Sequence, residues 1–267
     1  MIAAIFGLDL RRSRSILLWA SVIGFVYAAV MALVYPTMRD NAALMEEYLK
    51  IFPKEFMSAF GISGSLGDPG IFFSAYIGQF LWPVLAALLG ILVATRPVGA
   101  DLDRGFLELV VSSPLPRRQY LAVSIVGQLI GTTLVALVTV AGVLIVGALV
   151  GAGFDAGRFL LAVPLLAAFG WAIAAFATLL SVITLSRGTA GGLTVGVLLA
   201  MYLGHIVAGI VPELDWLSRL SIFGYFPTRE VVGQATLPIG DMAVLVGAAI
   251  ACWAGAVVLF GGRDLAA

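Results

Sequence analysis

Charge is what this 267-residue sequence has least of. Asp, Glu, Lys and Arg make up 11% of it, against about 25% in soluble domains. With 61% hydrophobic residues and a mean hydropathy of +1.09, that deficit excludes a soluble domain and requires a surrounding that tolerates apolar surface. Lysine is nearly absent: only Lys50, after Leu49, and Lys54, after Pro53. A phosphate-cradling P-loop needs Gly-Lys followed by Ser or Thr, so this chain cannot hold ATP in that way. The single cysteine, Cys252, lies in an apolar run, which excludes an intrachain disulfide and a cysteine metal cluster and leaves a small core residue. The net charge of zero offers nothing for nucleic acid, and no metal-ligand motif is present. No period of 20 to 50 residues marks a repeat array.

What the chain does have is long stretches without any charge: 15–38, 69–95, 119–154, 159–186, 188–212 and 242–262. A membrane-crossing helix needs about 20 residues, so the sequence predicts an all-α integral membrane protein with six transmembrane helices and one transmembrane domain over 1–267. The spans are expected at 15–36, 71–95, 119–150, 159–185, 189–211 and 241–261. An even number puts both termini on one side. If that side is the cytoplasm, the inner segments hold nine basic residues against five acids and the outer segments six against ten, which favours cytoplasmic termini. The first apolar run is too long for a secretory signal and lacks a small-residue cleavage pattern, so it reads as an uncleaved span.

Between the spans the chain is amphipathic rather than plain loop. Residues 1–14 place Ile2, Ile5, Phe6 and Leu10 on one face and end in Arg11, Arg12 and Arg14, the pattern of an interfacial helix near anionic headgroups; the arginines serve topology equally well. In 37–70, Leu44, Tyr48, Phe52, Phe56 and Phe60 recur every four residues opposite Glu46, Glu47, Lys50, Lys54 and Glu55, with Pro53 dividing the segment into two short helices. That segment either lies on the outer leaflet or caps a pathway. Residues 212–240 carry Trp216, Phe223, Tyr225 and Phe226, too aromatic for an exposed loop. They are expected to fold back as short helices, as a gate or as an interfacial aromatic belt. The short SRGT turn at 186–189 makes the fourth and fifth spans a tight hairpin.

The segment 96–118 is charged and proline-broken. Its first half forms a short helix with Phe106, Leu107, Val110 and Val111 on the apolar side and Asp103, Arg104 and Glu108 on the other. Pro114 and Pro116 then stop it, and a new helix enters at Arg117 and Arg118. Any multispan protein needs a charged turn here, but the ordered run Asp103, Arg104-Gly105-Phe106-Leu107-Glu108-Leu109, Ser113-Pro114-Leu115, Arg117-Arg118 resembles the loop between the second and third spans of ABC-2 type permeases, the membrane subunits of one class of ABC exporter. Leu217-Ser218 through Phe226-Pro227 is similar to the re-entrant external segment of that family, and the tail Phe260 to Leu265 is similar to its end.

The resemblance implies that 96–118 is a cytoplasmic coupling helix, with Asp101, Asp103, Arg104, Gly105, Glu108, Arg117 and Arg118 docking on a separate ABC ATPase subunit that binds ATP and Mg. It further implies a second permease copy or a paralogous one, a bacterial cytoplasmic (inner) membrane, and ATP-driven export. Polar residues scattered in the apolar runs, Gln79, Gln128, Thr132, Tyr202 and His205, are the pathway candidates and suit an amphipathic drug, antibiotic, peptide or lipid. Two other readings stay open at this point. A nucleotide-independent secondary carrier or channel is one, although such carriers keep ionisable groups inside their spans and only His205 is found there. The other is a rhomboid-like serine protease using Ser63 and His205, which must then come within hydrogen-bond reach.

Overall fold

The computed structural model describes residues 2–51, 57, 62, 64–96 and 117–262, with the side chains of 2–6, 8 and 117 excepted. Every regular element among them is helical, and six helices are long and apolar enough to cross a membrane. These are Asp9–Asp40, Pro69–Ala94, Arg118–Leu149, Ala156–Thr184, Arg187–Ile210 and Ile239–Gly262, here the first to sixth spans.

The first span departs from expectation at its start. Residues 2–14 are not a separate element but run without a break into the span, in one helix from Ile2 to Asp40. At 1.5 Å per residue this helix is about 58 Å long, nearly twice the roughly 30 Å apolar layer, so it projects beyond that layer. An eight-residue helix, Ala42–Leu49, follows it and forms the described part of the external amphipathic segment.

Helix boundaries follow local chemistry. Asp68 caps the second span through Oδ1, which accepts from the backbone N–H of Gly70 at 2.8 Å and Ile71 at 3.0 Å, and Pro69 takes the first turn where a missing N–H costs nothing. Asp155 caps the fourth span in the same manner. Gly151 and Gly153, at φ 65° and 75°, make the turn between the third and fourth spans in a backbone region that other residues avoid. The fourth-to-fifth turn consists of Leu185 in the left-handed region and Ser186, whose hydroxyl caps the fifth span.

The second span is not a plain α-helix. It alternates α over Pro69–Phe73, π over Ser74–Leu81, α over Trp82–Leu89 and π over Gly90–Ala94. Nothing in the apolar composition signals this. Wide turns occur where side chains compete for the backbone carbonyls, and at the lower stretch the Thr178 hydroxyl lies 3.4 Å from the Ala94 carbonyl.

The fourth span is the hub: 67% of its apolar window is buried, against 11% for the fifth. Its buried face is mostly small, from Ala167 and Ala168 through Gly170 to Ala177, which lets other helices approach closely where lipid removes any hydrophobic gain from association. Trp82, fully buried, donates its indole N–H to the Leu166 carbonyl at 2.8 Å and ties the second span to this hub. The first and third spans form the most extensive helix pair. A Cβ on Gly142 would lie 2.7 Å from the Phe25 carbonyl oxygen, and Gly131 accommodates Leu17.

Candidate functional site

Two constellations concentrate the polar and aromatic side chains. The first is a polar node inside the bundle. Gln128 of the third span is 2% exposed; its Oε1 accepts from the Thr178 hydroxyl at 3.1 Å and from the Trp253 indole N–H at 3.3 Å. Thr178 also lies 2.8 Å from the Ala174 carbonyl and 3.4 Å from the Ala94 carbonyl, and Ser181 donates to the Thr95 carbonyl at 3.1 Å. The second, third, fourth and sixth spans therefore meet in one hydrogen-bonded cluster. Ala94 closes the lower π stretch, so the carbonyls that accept here lie where the helix leaves its regular register.

The node is incomplete. Gln128 Nε2 has no hydrogen-bond partner, and it borders a cavity of about 10 Å³ lined by Leu17, Leu89, Val93, Thr132 and Ala174. Gln79, in the upper π stretch, likewise has an unpartnered Oε1. Unmet buried groups of this kind cost about 1–3 kcal/mol each. The expected pathway residues thus divide. Gln128 and Thr132 adjoin one cavity, Gln79 stands apart on the second span, and Tyr202 and His205 face the external segment.

That segment is the second constellation. Four short helices, Pro212–Leu214, Trp216–Leu220, Ile222–Tyr225 and Thr228–Gln234, fold back onto the bundle as the aromatic pattern predicts. Phe226 stacks on Phe169 with centroids 4.1 Å apart, and Phe223 meets the same ring edge-on at 5.3 Å. Phe169 is seven residues beyond the start of the helix Ala162–Thr184, so these rings reach roughly 10 Å along it. Of the four expected gate aromatics, Phe223 and Phe226 are buried, Tyr225 is half-buried with its hydroxyl on the Arg219 carbonyl, and Trp216 is exposed. Ser221 donates to the Met201 carbonyl at 2.9 Å, Tyr202 packs on Phe223, and His205 Nδ1 pairs with the Ser218 hydroxyl at 3.1 Å.

The far end of the segment is pinned to the second span. The hydroxyls of Thr228 and Ser74 are 2.9 Å apart and buried, Gly78 makes room for Thr228, and a Cβ on Gly70 would meet Gly233 backbone at 2.8 Å. Replacing Thr228 by Val keeps the shape and strands the Ser74 hydroxyl. It should cost about 1–3 kcal/mol, read as a lower thermal midpoint of the detergent-purified protein, whereas Thr228→Ser should stay near wild type.

Asp101, Asp103, Arg104, Gly105 and Glu108 lie outside the described residues, as does Ser63, and so does the side chain of Arg117. Arg118 is described: it is exposed at the start of the third helix, and its side chain packs against Gly261 of the sixth span. Sequence reasoning missed Thr178, Ser181 and Trp253. The available signal was Trp253 itself, because an indole N–H in an apolar run must find an acceptor.

Among the described residues no group of three His, Cys, Asp or Glu side chains could hold a metal ion. Apolar crossings, small-residue contacts and side-chain-to-carbonyl bonds at wide helical turns define a polytopic helical membrane protein whose interior is organised around helix contacts. The model of the family described as ABC-2 family transporter protein matches residues 3–265, and the chain belongs to that family. It is accordingly a membrane permease component of an ABC transporter, a membership that implies association with an ABC ATPase subunit. No curated protein matches the chain.

Proposed function

We propose that this chain is the permease subunit of an ATP-driven exporter, moving an amphipathic or hydrophobic substrate such as a drug, antibiotic, peptide or lipid out of a bacterial cell. The family membership over residues 3–265 carries this reading. Energy comes from a separate ATPase that binds ATP and Mg and grips the segment 101–118, with both termini in the cytoplasm. Two permease chains, identical or related, enclose the pathway. The fifth span supports that pairing: Gly188, Gly192 and Gly196 form an exposed stripe at four-residue spacing with nothing among the described residues within 4 Å of an added Cβ. Residues 212–240 act as the outer gate.

Purification of the tagged protein from native membranes in mild detergent tests the proposal. The expected result is a co-purifying soluble subunit with a Walker motif and vanadate-sensitive ATP turnover. A chain that emerges alone and inactive toward ATP across several detergents would instead direct attention to gradient-driven transport.

A further inference from the structure

The side-chain amide of Gln128 has a fixed orientation. An indole N–H can only donate, so the atom that faces Trp253 at 3.3 Å must be the oxygen, and the same oxygen lies 3.1 Å from the Thr178 hydroxyl. Turning the amide over would set two N–H groups against each other. Nε2 is therefore left with two hydrogens to donate and no hydrogen-bond partner, in a side chain that is 2% exposed. Gln128 stands about 16 Å along the helix that begins at Arg117, inside the apolar layer. Headgroups and bulk solvent do not reach it there.

The adjoining cavity, about 10 Å³, is walled by Leu17 of the first span, Leu89 and Val93 of the second, Gln128 and Thr132 of the third, and Ala174 of the fourth. That is about the space one water molecule needs, and too little for anything larger. The wall carries no charge, so it offers an ion no compensation, and the amide hydrogens of Gln128 repel a cation. Thr132 is buried one turn beyond Gln128 on the same helix, and its γ-methyl lies against Gly170, which leaves the hydroxyl as the branch for the cavity. Cavities that stay dry are apolar, whereas a buried water is held by two to four polar groups. Gln128 and Thr132 supply two.

We infer that this cavity is a binding site for one water molecule, which accepts from Gln128 Nε2 and pairs with the Thr132 hydroxyl. The water completes the polar node from the side that no protein group serves. It also lies against Leu89 and Val93, on either side of Gly90, where the lower π stretch of the second span begins. The inference does not depend on ATP-driven transport and is tested without an ATPase.

The test uses the full chain in phosphatidylcholine bilayers, with nitrogen-15 in the glutamine side chains, and solid-state NMR in which magnetisation starts on water protons. The sequence has four glutamines, Gln79, Gln119, Gln128 and Gln234, and the signal that Gln128→Leu removes identifies Gln128. Gln234, exposed, is the reference for a side chain in contact with water. The Gln128 amide should receive magnetisation at mixing times as short as Gln234 requires. Thr132→Val keeps the shape and removes one of the two polar partners, so it should abolish that early transfer. Thr133→Val should leave it unchanged, because the Thr133 hydroxyl is spent on the Leu129 carbonyl of its own helix at 2.7 Å. Absence of early transfer to Gln128 in the wild type would overturn the site. So would a transfer that persists in Thr132→Val, the result expected if a continuous water-filled pathway reached Gln128. Equal loss in Thr133→Val would overturn it too, by assigning the effect to a general change in the third span. Should Thr132→Val fail to insert, the wild-type comparison of Gln128 with Gln234 still decides.

Discussion

Reversing the charges at Arg104 and Glu108 should leave the protein in the membrane at wild-type abundance and lower substrate-coupled ATP turnover on the order of a hundredfold. The two residues are four apart, so on a helix they would share one face. If that face meets a soluble ATPase, reversal places like charges together at each contact. Such juxtaposition costs several kcal/mol, and every 1.4 kcal/mol is a factor of ten. The bundle itself should be indifferent, because its described core lies in the spans and its polar node is built from Gln128, Thr178, Ser181 and Trp253. The informative measurements are membrane abundance, co-purification of the ATPase and substrate-stimulated ATP hydrolysis, taken together. Normal coupled turnover in the reversed variant would remove the 101–118 segment from the mechanism.

Gly142→Leu should have the largest effect on stability. A Cβ at that position falls 2.7 Å from the Phe25 carbonyl oxygen and 3.2 Å from the Phe25 Cα, and both are backbone atoms that no rotamer change can move. The first and third spans must then part, disturbing the neighbouring contacts of Gly24 with Thr139 and Gly131 with Leu17. Overpacking a tight site costs about 1–3 kcal/mol, and in lipid no hydrophobic term draws the helices back together. The expected result is a thermal midpoint lowered by several degrees. Gly196→Leu is the contrast, since nothing among the described residues lies within 4 Å of its Cβ; it should leave the stability of the single chain unchanged while weakening any pairing through the fifth span. Equal midpoints for the two variants would mean that the first and third spans are not in the close contact described.

The positions of the spans were legible because charge in an apolar solvent is costly. The runs ending at Arg96, Asp155, Arg187 and Arg263 therefore bound helices whose observed ends fall within a few residues of those marks. The caps were legible too, since Asp68-Pro69 carries its own chemistry. The inward folding of 212–238 could be read from its rings, but the partner could not: that Phe226 would stack on Phe169 depends on which helices become neighbours. Continuity across Arg14 escaped the sequence for a similar reason. Three arginines signal where the lipid surface lies but do not oblige a helix to bend there, and the chain contains no Pro or Gly between Gly7 and Gly24 to interrupt it. Gln128 was visible as an oddity inside an apolar run, whereas its assembly with Thr178 and Trp253 joins residues up to 125 positions apart.

The two wide-turn stretches of the second span sit on either side of Trp82, which is clamped to Leu166. Each holds slack of about one residue relative to an α-helix, and one residue corresponds to roughly 100° of rotation about the axis. A rod with a fixed collar and a swivel above and below can turn at one end without turning at the other. A twist entering at Arg96 would be taken up over Gly90–Ala94 and would alter which carbonyls face Thr178 and Ser181, while the Ser74–Thr228 latch at the opposite end stayed shut.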